Sequence, residues 1–291
     1  MSAAWPGDSA TVENWVRAVL RHSASADEIA VQGLDGVRVT ADLDGLDLRE
    51  LTVDATRADL RITANRGAAP GAPPDEVAEP DELAREVGIA RTLRFTALPM
   101  RIQKTPVTID VRVEDLPIAW ITYAEPTEPG LSESRYALAP DDERDGLRGT
   151  FRFAIAADDI GPLVTMVMRP LLREGGVRLG RMRIAVDGAG GDDIRISASA
   201  GLRWKLLFAS ARVEATVSIT QDGVVTVKAL TLGSRNPAVK VALLFVRRHV
   251  REVVGRSFDA GEMFDDEGSG IRLHDVRVGT GHELSVAGRF S

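Results

Sequence analysis

The chain has no cysteine, few aromatic residues (5%) and four histidines. Without cysteine there is no disulfide framework, thiolate zinc site, iron–sulfur cluster or cysteine nucleophile. The histidines, His22, His249, His274 and His282, stand at no spacing that would bring two together on one helix face as zinc ligands, so no metal or cofactor is expected. An excess of positive charge is missing too. The formal charge is −7 and arginines are interleaved with aspartates along most of the chain, which speaks against nucleic acid as a partner. Long apolar runs are absent: Ile160 to Met168 and Val241 to Val246 fall far short of the ~20 residues that cross a bilayer. Met1 to Gly7 lacks the basic start and apolar core of a secretory signal, which predicts a cytoplasmic chain, with envelope association as the alternative.

What is present is the composition of a folded protein, 44% hydrophobic and 27% charged over 291 residues. Residues 1–10 read as a tail. Thr11 to Arg21 carries Val12, Trp15, Val16, Val19 and Leu20 at spacings of three and four, the mark of a short amphipathic helix that Ser9 or Thr11 would cap. From Ile29 the period changes to two. Val37 to Leu43, Leu51 to Ala55, Ala58 to Ile62, Leu93 to Ala97 and Val107 to Val113 alternate apolar with polar residues, as strands with one wet face do. Two stretches rich in proline, glycine and acidic residues, near 66–82 and 125–149, read as mobile inserts in a single domain over 11–291. A split near 150 is the alternative.

The second half opens on an acidic cap at Asp158-Asp159 and a proline, Pro162, suited to a first helical turn. A helix follows, apolar on almost every side through Leu163, Val164, Met166, Val167, Met168, Leu171 and Leu172. Pro170 should kink it and Gly175-Gly176 should end it. Strands then recur up to Leu232, with hairpin turns at Asp187 to Gly191 and Gln221-Asp222-Gly223. Asn236-Pro237 announces the longest helix, over Ala238 to about Ser257, apolar from Val239 to Val246 and amphipathic beyond. A last hairpin runs from Ile271 to Phe290.

This closing order, together with Gly270-Ile271-Arg272-Leu273-His274-Asp275-Val276-Arg277-Val278 and Leu284-Ser285-Val286-Ala287-Gly288, resembles the C-terminal part of the LmeA-like phospholipid-binding family of the tubular lipid-binding (TULIP) superfamily. The segment Asp44 to Asp54 is similar to the glycine-leucine strand repeats near the start of such domains. The resemblance implies an α+β fold in which a strongly curved antiparallel sheet wraps around long apolar helices and holds lipid tails between them. The export signal usual in that family is not visible here, and no catalytic residue of its phospholipase members matches a position of this chain.

The residues themselves offer little chemistry. His274-Asp275 cannot form a relay along a strand, because neighbours point to opposite faces. Glu267-Gly268-Ser269-Gly270 lacks the first glycine of a nucleophile elbow. The reading is therefore non-catalytic binding or transfer of a lipid or other long apolar ligand, with transient contact to a membrane surface. Leu163, Met166, Val167 and Leu171 of one helix and Val239, Leu243, Phe245 and Val246 of the other are the expected groove lining. Arg247, Arg248 and Arg251 are candidate head-group contacts, since guanidinium pairs with phosphate through parallel hydrogen bonds; a solvated helix face is the plainer account of them. A structural or assembly protein whose apolar surfaces meet a partner chain is the alternative, and a lipid hydrolase the third.

Overall fold

The computed structural model describes residues 5–26, 29–64, 80–141, 147–174, 177–190, 193–204, 207–234, 254–261 and 271–291. They divide into two compact units, Met1–Phe151 and Arg152–Ser291.

In the first unit Asp8 caps helix α1 (Ser9–Ala26), its Oδ1 accepting the Thr11 N–H at 2.8 Å. The cap is thus neither Ser9 nor Thr11. Ser9 is engaged elsewhere, its Oγ accepting the N–H of Leu43. Strands β1 (Ile29–Gln32), β2 (Arg38–Asp44), β3 (Asp47–Asp54) and β4 (Asp59–Ala64) follow, then the long β5 (Glu82–Ile102) and β6 (Thr105–Tyr123). The clean alternation of the sequence survives in the β5–β6 register, with Leu93 opposite Val113, Phe95 opposite Val111 and Ala97 opposite Ile109. A two-residue turn, Gln103-Lys104, joins them with both residues at positive φ, a hairpin built without the usual Asn-Gly signal. On its other side β5 pairs in parallel with β3 over Leu48 to Asp54 and with β4 at Asp59 and Leu60.

The stretch expected as a polar insert near 125–149 carries structure. Strand β7 (Tyr136–Pro140) pairs with β6, and Tyr136 joins the core. So does the expected tail: Trp5 is buried, stacks on Tyr136 and meets Trp15 and Trp120 edge-on at about 5 Å. The indole N–H groups of Trp5, Trp15 and Trp120 donate to the carbonyls of Ala137, Tyr136 and Leu46, so none is buried unpaired. Of the other expected insert, 66–82, residues 66–79 lie outside the described residues.

Strand β8 (Arg148–Ala156) leads into the second unit, where helix α2 (Ala157–Glu174) begins with Asp158 and Asp159 in its first turn, as expected, and continues through Pro170. Five antiparallel strands form one sheet in the order β13-β12-β11-β10-β9: β9 (Val177–Gly190), β10 (Asp193–Trp204), β11 (Leu207–Ile219), β12 (Val224–Gly233) and β13 (Ser257–Asp259). The turn at Gln221-Asp222-Gly223 is present, with Gly223 at φ 78° and packed so closely on Leu273 that a Cβ there would lie 2.9 Å from that side chain. Strands β14 (Leu273–Gly279) and β15 (Glu283–Phe290) form the closing hairpin.

These observations overturn the expected fold class. The described residues are mostly in strands, and no sheet among them is strongly curled. Among the described residues the only α-helices are α1 and α2, of 18 residues each, and neither is a long apolar rod inside a curved sheet. The physical reason is that each helix lies against strands and presents one side to them. Among the described positions of α2, Gly161 and Thr165, one turn apart, are buried, while Asp158 and Pro162 are exposed. A Cβ on Gly161 would come within 2.9 Å of the Met182 carbonyl oxygen and 3.4 Å of the Ile184 nitrogen, so the helix rests on the backbone of β9, the end strand of its sheet. In α1, Ser9, Glu13 and Arg17 form a stripe at intervals of four that bonds the Leu43 N–H, the Ala41 N–H and the Val39 carbonyl of β2, a strand paired, among the described residues, only with β3. These side chains satisfy backbone groups that a further strand would otherwise seek.

Candidate functional site

Leu163 and Met166, expected to line an apolar groove, are half-buried on α2 and turned away from the Gly161–Thr165 face. Val167 and Leu171 belong to the same helix, but their side chains lie outside the described residues. So do Val239, Leu243, Phe245, Val246, Arg247, Arg248 and Arg251, together with the helix proposed to carry them, up to residue 253. The turn Glu267 to Gly270 is likewise outside. His274 donates to or accepts from Ser291 Oγ at 2.8 Å, while Asp275, at positive φ in a bulge, pairs with Arg289; the two side chains have different partners.

One concavity among the described residues lies on the sheet of the second unit. It begins with a sequence feature that periodicity alone makes unremarkable: β10 reads Ser197-Ala198-Ser199-Ala200-Gly201, small residues on both faces. Small side chains lower the floor of a sheet, and flanking strands then stand proud of it. Here β9 supplies Arg181, Arg183 and Ala185, β11 supplies Ser210 and Arg212, and Gly233 with Ser234 closes the far side. Together they line an open cleft of about 780 Å³.

Register fixes which of these side chains share a face. Ser199 lies opposite Arg183 on one side and Arg212 on the other, and Arg212 lies opposite Gly233. The row therefore spans four strands, roughly 14 Å at ordinary strand spacing. In the next row Ala185, Ser197 and Glu214 are aligned. By alternation Ile184, Ala198 and Ala200 direct their side chains to the other face. A bulge opposite Gly201, where β9 fits Gly180 and Arg181 between its pairings at Leu179 and Met182, places Arg181 beside this row.

The electrostatics are uneven. Arg212 bonds Glu214 at 2.7 Å on its own strand, both groups being well exposed. Arg181 and Arg183 have no carboxylate partner among the described residues, and both are exposed. Farther along the same face Arg195 is opposite Asp187, so the register matches charge there. In the first unit strand arginines are commonly matched as well: Arg94 to Asp110, Arg112 to Glu114, and Arg91 with Arg148 to Asp115. Those guanidiniums, Arg91 foremost and then Arg148, hold the Asp115 carboxyl below the usual carboxylate range.

Among the described residues that line the cleft there is no histidine, aspartate or glutamate. Among the described residues there is no group of three or more histidine, aspartate or glutamate side chains placed to hold a metal ion. The cleft presents cationic forks and hydroxyls over a floor of small residues. A smaller cleft of about 270 Å³ lies elsewhere in the second unit, between Gly188, Asp193, Gln221 and the Val276 to Thr280 stretch. Sequence reading passed over the larger cleft because Arg-x-Arg and Ser-x-Ser patterns on a strand look like any wet face. The signal that could have marked it is the Ser-Ala-Ser-Ala-Gly run, which is poor in the bulky residues that strands favour. Compared with family models, curated proteins and solved structures, the chain matches none.

Proposed function

We propose that the protein is a non-catalytic binding protein for a lipid or other long ligand, and that its ligand lies in the cleft of the second unit. The observation that carries this reading is the open trough across β9, β10, β11 and β12, floored by Ser197, Ser199 and Gly201. Its volume falls within the range of small-molecule sites, and its length across four strands suits an extended molecule. Apolar surface of such a ligand would be withdrawn from water at ~25 cal/mol per Å², so a chain lying along the trough gains in proportion to its length.

The test is solvent extraction and mass spectrometry of the natively purified protein, repeated on a variant in which Ser199→Trp fills the trough. Near-stoichiometric co-purified lipid in the wild type, lost in the folded variant, is the expected result. A wild-type protein that carries no small molecule and shows no thermal shift with any long-chain additive sinks the proposal.

A further inference from the structure

The geometry points to a charge selectivity that goes one step further: the cleft recognises an oxyanion on its ligand, held between the guanidiniums of Arg183 and Arg212 over Ser199. This rests on the cleft being the ligand site.

The argument starts from spacing. Arg183 and Arg212 stand on strands either side of β10, roughly 10 Å apart at the backbone, with Ser199 between them in the same row. Both side chains are long and exposed, and both can bend over the serine. Arg181, on the adjacent bulge, adds a third cation to the same cleft. The one carboxylate aligned with this region, Glu214, is already engaged by Arg212 and sits one row away, opposite Ser197. Three guanidiniums thus share one carboxylate. Like charges gathered on one sheet face repel, and an anion placed among them removes the repulsion while accepting paired hydrogen bonds from planar forks. The serine hydroxyl beneath supplies a neutral donor that suits the same group.

The surroundings make this local. The whole chain carries a formal charge of −7, so its overall field repels anions. Anion affinity must come from contact within the cleft, and salt should weaken it over the short range set by screening. A merely solvated face would show the charge matching seen at Arg195 and Asp187 and would not leave Arg181 and Arg183 without a carboxylate among the described residues.

The decisive experiment is calorimetric titration with three probes below their aggregation limits: dodecyl phosphate, dodecanol and inorganic phosphate. Wild type, Arg183→Ala and Arg183→Gln are compared, the second variant serving if the first fails to fold. Dodecyl phosphate should bind at least ~10-fold tighter than dodecanol, and either Arg183 variant should lose about that factor for dodecyl phosphate alone. Equal binding of dodecyl phosphate and dodecanol, or no effect of Arg183 replacement, would overturn the oxyanion inference and leave the cleft reading standing. Inorganic phosphate binding as tightly as dodecyl phosphate would support the oxyanion contact but remove the long ligand. Absence of binding by all three probes would sink both.

Discussion

The carboxylate of Glu13 accepts the backbone N–H of Ala41 at 3.1 Å, so a helical side chain completes the open side of strand β2. Arg17, one turn on, holds Glu13 at 2.9 Å and reaches the Val39 carbonyl at 2.7 Å. The Ala41 amide, and after it Arg17, hold the Glu13 carboxyl below its ordinary value of 4.5. A carboxyl depressed in the folded state contributes stability that is present above the unfolded value. That contribution is lost as pH falls through the lower folded value.

Glu13→Gln should therefore reduce stability at neutral pH, where the charged carboxylate is intact, and converge with wild type as pH falls below 4.5 and through the lower folded value. Thermal unfolding followed from pH 7 to pH 3 measures this. A constant difference across that range would mean that the ionised state of Glu13 contributes nothing.

Trp5→Ala should destabilise the first unit by about 3–5 kcal/mol, the usual cost of removing a large aromatic from a packed core. Trp5 is 7% exposed and lies 4.9 Å from Tyr136 ring to ring. Denaturant unfolding monitored by tryptophan fluorescence reads the change. Deletion of residues 1–6, which removes the same ring, should cost at least as much.

Gly161→Val should destabilise the second unit by about 1–3 kcal/mol, in the range of overpacking. The new Cβ would press on the Met182 carbonyl, which belongs to the backbone and cannot swing away. Pro162→Ala, at the exposed neighbouring position, is the control and should change stability by well under that amount. Hydrogen exchange at β9 amides would show whether the strand end has loosened. Unchanged protection in Gly161→Val would contradict the close packing of helix on strand.

Period-two alternation was enough to place β2, β3, β5 and β6 and to say which side chains share a face, because that information is local to each strand. The β5–β6 register keeps Leu93, Phe95 and Ala97 against Val113, Val111 and Ile109, as the apolar pattern requires. Helix α2 was legible from its acidic first turn, and the closing hairpin from the strands flanking Gly279 to Gly281. Composition misled at Trp5 and at Tyr136 to Pro140. Each is a short piece surrounded by polar or proline-rich sequence, and only long-range contact between them reveals a core.

The expectation of apolar helices inside a curved sheet failed for a related reason. An apolar run tells that a surface is covered, but not by what, and Gly161 against Met182 is a relation between elements that no window of sequence contains. The same holds for the cleft. The sequence by itself determined that strands recur through this part of the chain up to Leu232, and it did not single out Arg183, Ser199 or Arg212. Their union in one row, with Glu214 already engaged and Arg183 lacking a carboxylate among the described residues, was decided by strand order and register, which arise from pairing between residues distant in the chain.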